Sequence, residues 1–190
     1  QRHRIMEKKR RKRGENSYLN DFHPNLAGEY IYSGTLYACA LDETAQRGMR
    51  RVLAALAAVQ LAAVIASGSI PAPGMQNSFY IILPFLGELI AAVSTAWAIF
   101  KLGSDWNAVR EYIYERTVPA LPRRALAAAI LAFLGILCEG VHLALAGHGG
   151  RLFYAVLYFI FKVLSILCAL TIRRTMLHTN WAKVPKCDEQ

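Results

Sequence analysis

Charge is scarce in this chain. Of its 190 residues only 18% are Asp, Glu, Lys or Arg, while 55% are hydrophobic; about a quarter are charged in an ordinary soluble domain. The shortage is local. Four runs, about residues 52–68, 79–100, 125–146 and 152–172, carry almost no charge. Each is close to the ~20 helical residues needed to cross a hydrocarbon core ~30 Å thick. Buried helices of a soluble protein would not need four such runs, so an all-α membrane bundle of four spans is expected.

Other absences narrow the chemistry. Cysteine is limited to Cys39, Cys138, Cys168 and Cys187, and none forms a CxxC pair or a ligand spacing with histidine. Neither a disulfide nor a metal site is expected. The chain contains no GxSxG, HExxH or Gly-rich phosphate loop, so the familiar hydrolase and nucleotide chemistries have no motif to stand on. No enzyme activity and no cofactor are expected. An intramembrane hydrolase using Glu139 and His142 ranks last. The first apolar run begins some fifty residues in, so no cleavable signal peptide is expected here.

What charge there is has a pattern. The formal net charge is +9, and 20 of the 22 Lys and Arg lie before the first run, between the second and third, or after the fourth. The exceptions are Arg151 and Lys162, and Ser69 to Ser78 has no charge at all. This is the positive-inside distribution. It places both termini and the middle loop in the cytoplasm, with the plasma membrane as the expected location. Residues 1–16, a basic block, are expected to be a disordered tail resting on an anionic leaflet. No aromatic residue is interleaved there to stack bases, so nucleic acid is not an expected partner.

The chain also reads as two tandem units, 17–106 and 107–181, with a tail at 182–190. Glu29-Tyr30-Ile31-Tyr32 returns as Glu111-Tyr112-Ile113-Tyr114, and Phe79-Tyr80 returns as Phe153-Tyr154. Arginine pairs, Arg50-Arg51 and Arg123-Arg124, precede the first span of each unit. Asn20-Asp21-Phe22, Ser104-Asp105-Trp106 and Thr179-Asn180-Trp181 recur as punctuation. Two spans return the chain to the same side, so the copies should be related by an axis along the membrane normal. Tyr30, Tyr32, Trp106, Tyr112, Tyr114 and Trp181 are expected at headgroup depth, where Tyr and Trp collect. The Tyr-rich words should be short interfacial helices; a hairpin turning at Ser33-Gly34 is the alternative for the first. Ala54, Ala58, Ala62 and Ala66, and then Gly87, Ala91 and Thr95, form small-residue faces that suit close helix approach.

The candidate site is a polar layer. Counted from the outer ends of the runs, Glu88 and Lys162 lie ~13.5 Å deep, and Gln60 and Glu139 ~12 Å. His142 shares a face with Glu139, one turn nearer the outside. A charge at the centre of a span costs roughly 2.5–3.5 kcal/mol. Such residues are kept by pairing inside a bundle, and Glu88 with Lys162 is the expected pair. Glu139 should then be satisfied by Gln60 or His142. Two carboxylates against one lysine leave an acid free to change protonation. A transporter or transport-associated subunit is therefore the leading expectation, and a structural subunit of a larger complex is the alternative. Four short spans enclose little volume, so self-association or a partner membrane subunit is expected.

Overall fold

The computed structural model describes residues 22–24, 30–32, 35–75, 78–103, 106–147 and 149–184. The basic tail, His148 and the last residues of the chain lie outside these. Four long helices dominate: α1 (Glu43–Ser69), α2 (Phe79–Lys101), α4 (Leu121–Ala146) and α5 (Leu152–Leu177), with a short α3 (Glu111–Thr117) between α2 and α4. All four are long and apolar enough to cross a membrane.

Their ends are set locally. Asp42 caps α1, its carboxylate accepting from the Thr44 N–H and hydroxyl, and those bonds hold the Asp42 carboxyl below the usual range. Pro122 stands in the first turn of α4, where its missing N–H is harmless. Gly147 ends α4 at φ 74°, a left-handed backbone that glycine adopts without a Cβ clash.

The helices pack in a ring, α1 on α2, α2 on α4, α4 on α5 and α5 on α1. That order sets α2 and α5 across one diagonal, and α1 and α4 across the other. Contacts between helices rest on small residues: Ala128 and Ala129 of α4 pack with Ala169 of α5, and Gly87 of α2 meets Leu131 of α4. Large apolar side chains face outward all round, among them Ile90, Trp97, Phe133 and Ile160. So much exposed apolar surface suits lipid and not water.

One alanine stripe faces the other way from expectation. Ala54, Ala58 and Ala62 are exposed, and the buried face of α1 is Leu53, Ala57, Gln60, Ala63, Val64 and Ser67. A span of alanines and valines has no sharp apolar moment, so packing of the larger Leu53 and the polar Gln60 decides its rotation.

A small sheet ties the segments at one end of the ring. Strand β3 (Leu36–Cys39) pairs antiparallel on one side with β4 (Val109–Arg110), and on the other with β5 (Trp181–Val184). A separate pair joins β1 (Phe22–Pro24) to β2 (Tyr30–Tyr32). The expected interfacial helix at Tyr30–Tyr32 is thus a strand. Its partner is β1, upstream; Ser33-Gly34, where the alternative hairpin would turn, lie outside the described residues. The second Tyr-rich word is a helix, α3. Three residues cannot nucleate a helix alone, so the available partner decides the outcome for identical words.

The sheet seats the bundle. Trp106 is only 1% exposed and packs in a core with Cys39, Leu53, Leu121, Ile172 and Met176. Burial pushes the Cys39 thiol up, which keeps it protonated and inert. Gln46, buried in the first turns of α1, donates to the Leu41 carbonyl (2.8 Å) and to Asn107 Oδ1 (2.7 Å). The Trp106 and Trp181 rings meet at 5.5 Å, and Tyr37 stacks on Tyr114 at 4.0 Å. The recurring punctuation has a geometric use: the Cys39 N–H donates to the Trp106 carbonyl and the Ala40 N–H to that of Asn180. Truncating Trp106 to Ala should lower stability by about 3–5 kcal/mol, read as a large drop in Tm of the purified protein in detergent; an unchanged Tm would show that this end is not holding the bundle.

Candidate functional site

Helix α2 brings Glu88 inward, one turn after Pro84, and α5 brings Lys162 and Ser165 to meet it. All three side chains are fully buried. The Lys162 ammonium donates to one Glu88 oxygen, and the Ser165 hydroxyl donates to the other at 2.7 Å. Lys162 also lies 5.1 Å from the ring centroids of both Phe85 and Tyr158, within cation–π range. The pair spans the diagonal of the ring, so it crosses the interior instead of joining neighbours.

Gly135 makes room for this arrangement. A Cβ there would stand 3.0 Å from the Tyr158 hydroxyl and 3.5 Å from Lys162 Cε. Tyr158 is fully buried, and its hydroxyl has no hydrogen-bond partner among the described residues. This buried phenol beside Lys162 is one that charge-counting along the sequence passes over, because Tyr158 reads as one more aromatic on a bulky span.

Glu139 is held differently from expectation. Its Oε1 accepts from the Gly74 N–H at 3.2 Å, while Oε2 is buried with no partner among the described residues. Neither Gln60 nor His142 bonds it. Gly74 belongs to the loop between α1 and α2, which folds back over the bundle. A Cβ at Gly74 would collide with Ile81 and the free Glu139 oxygen and press on the His142 ring. A local reading of the sequence treats that uncharged loop as a bare connector, so the backbone donor it supplies was not foreseeable from side chains.

His142 turns its Nδ1 to the surface side of this loop. It lies 2.8 Å from the Tyr80 hydroxyl and 3.2 Å from Ser78 Oγ. Tyr80 is half exposed, so a polar cluster runs from the end of the bundle inward to Glu139. Gln60 is buried on α1, and neither atom of its amide has a partner among the described residues. At the opposite end, Trp106 is inside the protein, Trp181 and Tyr114 are half-buried against one another, and Tyr112 is half-buried. Tyr30 and Tyr32 lie on β2.

The five residues of the expected polar layer are thus all inside or at the mouth of the bundle. The structure joins Glu88 to Lys162, adds Ser165 and Tyr158, and pairs Glu139 with backbone. Chemically, the Glu88 site is closed and satisfied. The Glu139 site has an acid with one open oxygen and a neighbouring imidazole. Among the described residues no group of three or more His, Cys, Asp or Glu is placed to hold a metal ion. The chain matches no family model, no curated protein and no solved structure.

Breaking the central pair from one side strands a buried charge, at a cost of about 3–5 kcal/mol. Glu88→Gln should therefore unfold readily in detergent, and adding Lys162→Met should recover most of the lost Tm. A double variant no more stable than the single one would show that the two charges do not support each other.

Proposed function

We propose that the chain is a small integral membrane protein of four spans that acts as a transporter, or as the transport subunit of a larger assembly, with proton movement through Glu139. The observation that carries this reading is the buried Glu139 carboxyl, held on one oxygen by the Gly74 N–H and with the other unpartnered among the described residues, on the same helix as a His142 that meets Ser78 and Tyr80 at the bundle mouth. An intramembrane acid is a functional group by default, because hydrocarbon makes it expensive to keep for packing alone. Protonation makes the Glu139 carboxyl neutral, and loss of the proton leaves it charged.

The satisfied geometry of Glu88, Lys162 and Ser165 supports a second reading, a non-transporting accessory subunit in which this cluster fixes helix register. The two differ in flux. Hydrolysis at Glu139 ranks below both, because the His142 Nδ1 engages Tyr80 and Ser78 and not the carboxylate.

Topology follows from charge. Lys101, Arg110, Arg116, Arg123, Arg173, Arg174 and the α1 arginines lie at or near the sheet-bearing end, against Arg151 at the other. We read the sheet-bearing end as cytoplasmic, with both termini there and the basic tail on the anionic leaflet. The ring order sets α1 across from α4 and α2 across from α5, which is the arrangement a two-span duplication would produce, and it supports the tandem-repeat reading. Self-association or a partner membrane subunit belongs to the same proposal.

Two experiments test it. Purified protein in liposomes with an entrapped pH dye should dissipate a proton gradient faster than empty vesicles, and Glu139→Gln should reduce that rate at least tenfold while leaving Tm within a few degrees. Proton flux absent under every solute gradient tried would favour the accessory-subunit reading. Separately, reporters placed after Gln190 and within residues 101–123 should both read cytoplasmic; opposite sides for the two would overturn the four-span topology.

A further inference from the structure

At the sheet-bearing end, α1 and α2 part to leave a groove of about 710 Å³. Its inner wall is Trp106, its sides are Ala54, Ala58 and Leu61 of α1 and Ile99 and Phe100 of α2, and its mouth carries Arg47, Arg50 and Arg51. The groove exists because α1 presents alanines there. Ala54 and Ala58 are exposed on this flank, so the surface between the helices is low, while Phe100, 77% exposed, stands as the opposite rim.

We propose that this groove binds an anionic phospholipid of the leaflet on the sheet-bearing side, with the phosphate on the arginines and one acyl chain along the alanine face. Two features argue for that occupant. The first is charge complementarity. Arg50 and Arg51 have no acidic partner among the described residues, and Arg47 has only the surface pair with Glu43 at 3.0 Å, both side chains well exposed. An exposed pair of that kind is worth at most about 1 kcal/mol, so Arg47 can turn to a phosphate. Guanidinium groups suit phosphate oxygens through paired N–H donors.

The second is length. From Arg51 to Leu61 α1 rises ~15 Å, which is half the ~30 Å hydrocarbon thickness. The cationic mouth and the apolar trough are therefore separated as a headgroup and a single leaflet's acyl chain are. The trough is that of one chain, so a second acyl chain stays in the bilayer. A small anion would use the arginines and leave the trough unused; a neutral lipid would use the trough and leave the arginines unpaired.

Native mass spectrometry of the full chain in detergent tests this, titrated with phosphatidylglycerol, phosphatidylcholine or inorganic phosphate. Phosphatidylglycerol should bind at least tenfold more tightly than phosphatidylcholine, and phosphate should not compete at millimolar concentration. Arg50→Gln with Arg51→Gln should remove the preference. Arg173→Gln with Arg174→Gln, the same charge loss on another helix of this end, should leave it. Ala58→Leu, which fills the trough at an exposed position without touching charge, should weaken binding at least fivefold. Equal binding of the two lipids, equal loss in both arginine pairs, displacement by phosphate, or unaltered binding in Ala58→Leu would each overturn the proposal. The wild-type lipid preference needs no variant, so a misfolded mutant does not remove the test.

Discussion

The constraint on which the bundle depends is the burial of two opposite charges with no water to solvate them. Glu88 and Lys162 are tolerable inside four apolar helices only because each meets the other, and because Ser165 and the faces of Phe85 and Tyr158 satisfy what remains. That requirement sets the rotation of α2 and α5 about their own axes. It also draws the diagonal helices together across the interior, which small residues such as Gly135 permit. In lipid there is little apolar driving force between helices, so a polar contact of this kind selects one register among many that would bury similar area.

The two ends of the bundle are finished by different means. At one end a three-stranded sheet gathers the segments before α1, between α2 and α3, and after α5 onto a single tryptophan-centred core. At the other, the loop bearing Gly74 closes over Glu139. The first end is densely tied: Gln46 joins the segment before α1 to the one between α2 and α3, and aromatic rings pack beside them. The second end has fewer ties, and its polar groups are the incompletely satisfied ones. The proton movement proposed above uses that end. The proposed lipid site lies at the sheet end, where arginines cluster at the head of an apolar trough.

The expected spans agree with the helices to within a few residues at most ends, because an apolar run of membrane length has few other structures open to it. The first span is the exception, since α1 starts well upstream at Glu43. There the Asp42 cap and the contacts of Gln46 extend the helix into polar sequence. The ion pair was also legible: two charges at matched depth in separate runs can be kept only by meeting. Less was legible where the deciding partner is backbone or aromatic. Glu139 bonds the Gly74 N–H, which every residue but proline offers, and Tyr158 carries no mark that separates it from its neighbours on α5. The alanine stripe of α1 misled for a related reason, as alanine suits a helix contact and a shallow lipid-facing groove equally well.

Tyr30-Ile31-Tyr32 and Tyr112-Ile113-Tyr114 state the division most plainly. Identical words became a strand and a helix, since so short a segment takes the structure its neighbours will satisfy. By itself the sequence determined that there are four long apolar helices, where most of them end, and that Glu88 and Lys162 must find each other, because hydrocarbon leaves a buried charge or an unpaired backbone no alternative. Only the tertiary structure decided which face of each helix turns inward, what holds Glu139, and that a sheet seals one end. Those outcomes depend on contacts between residues far apart in the chain, whose strength no local pattern encodes.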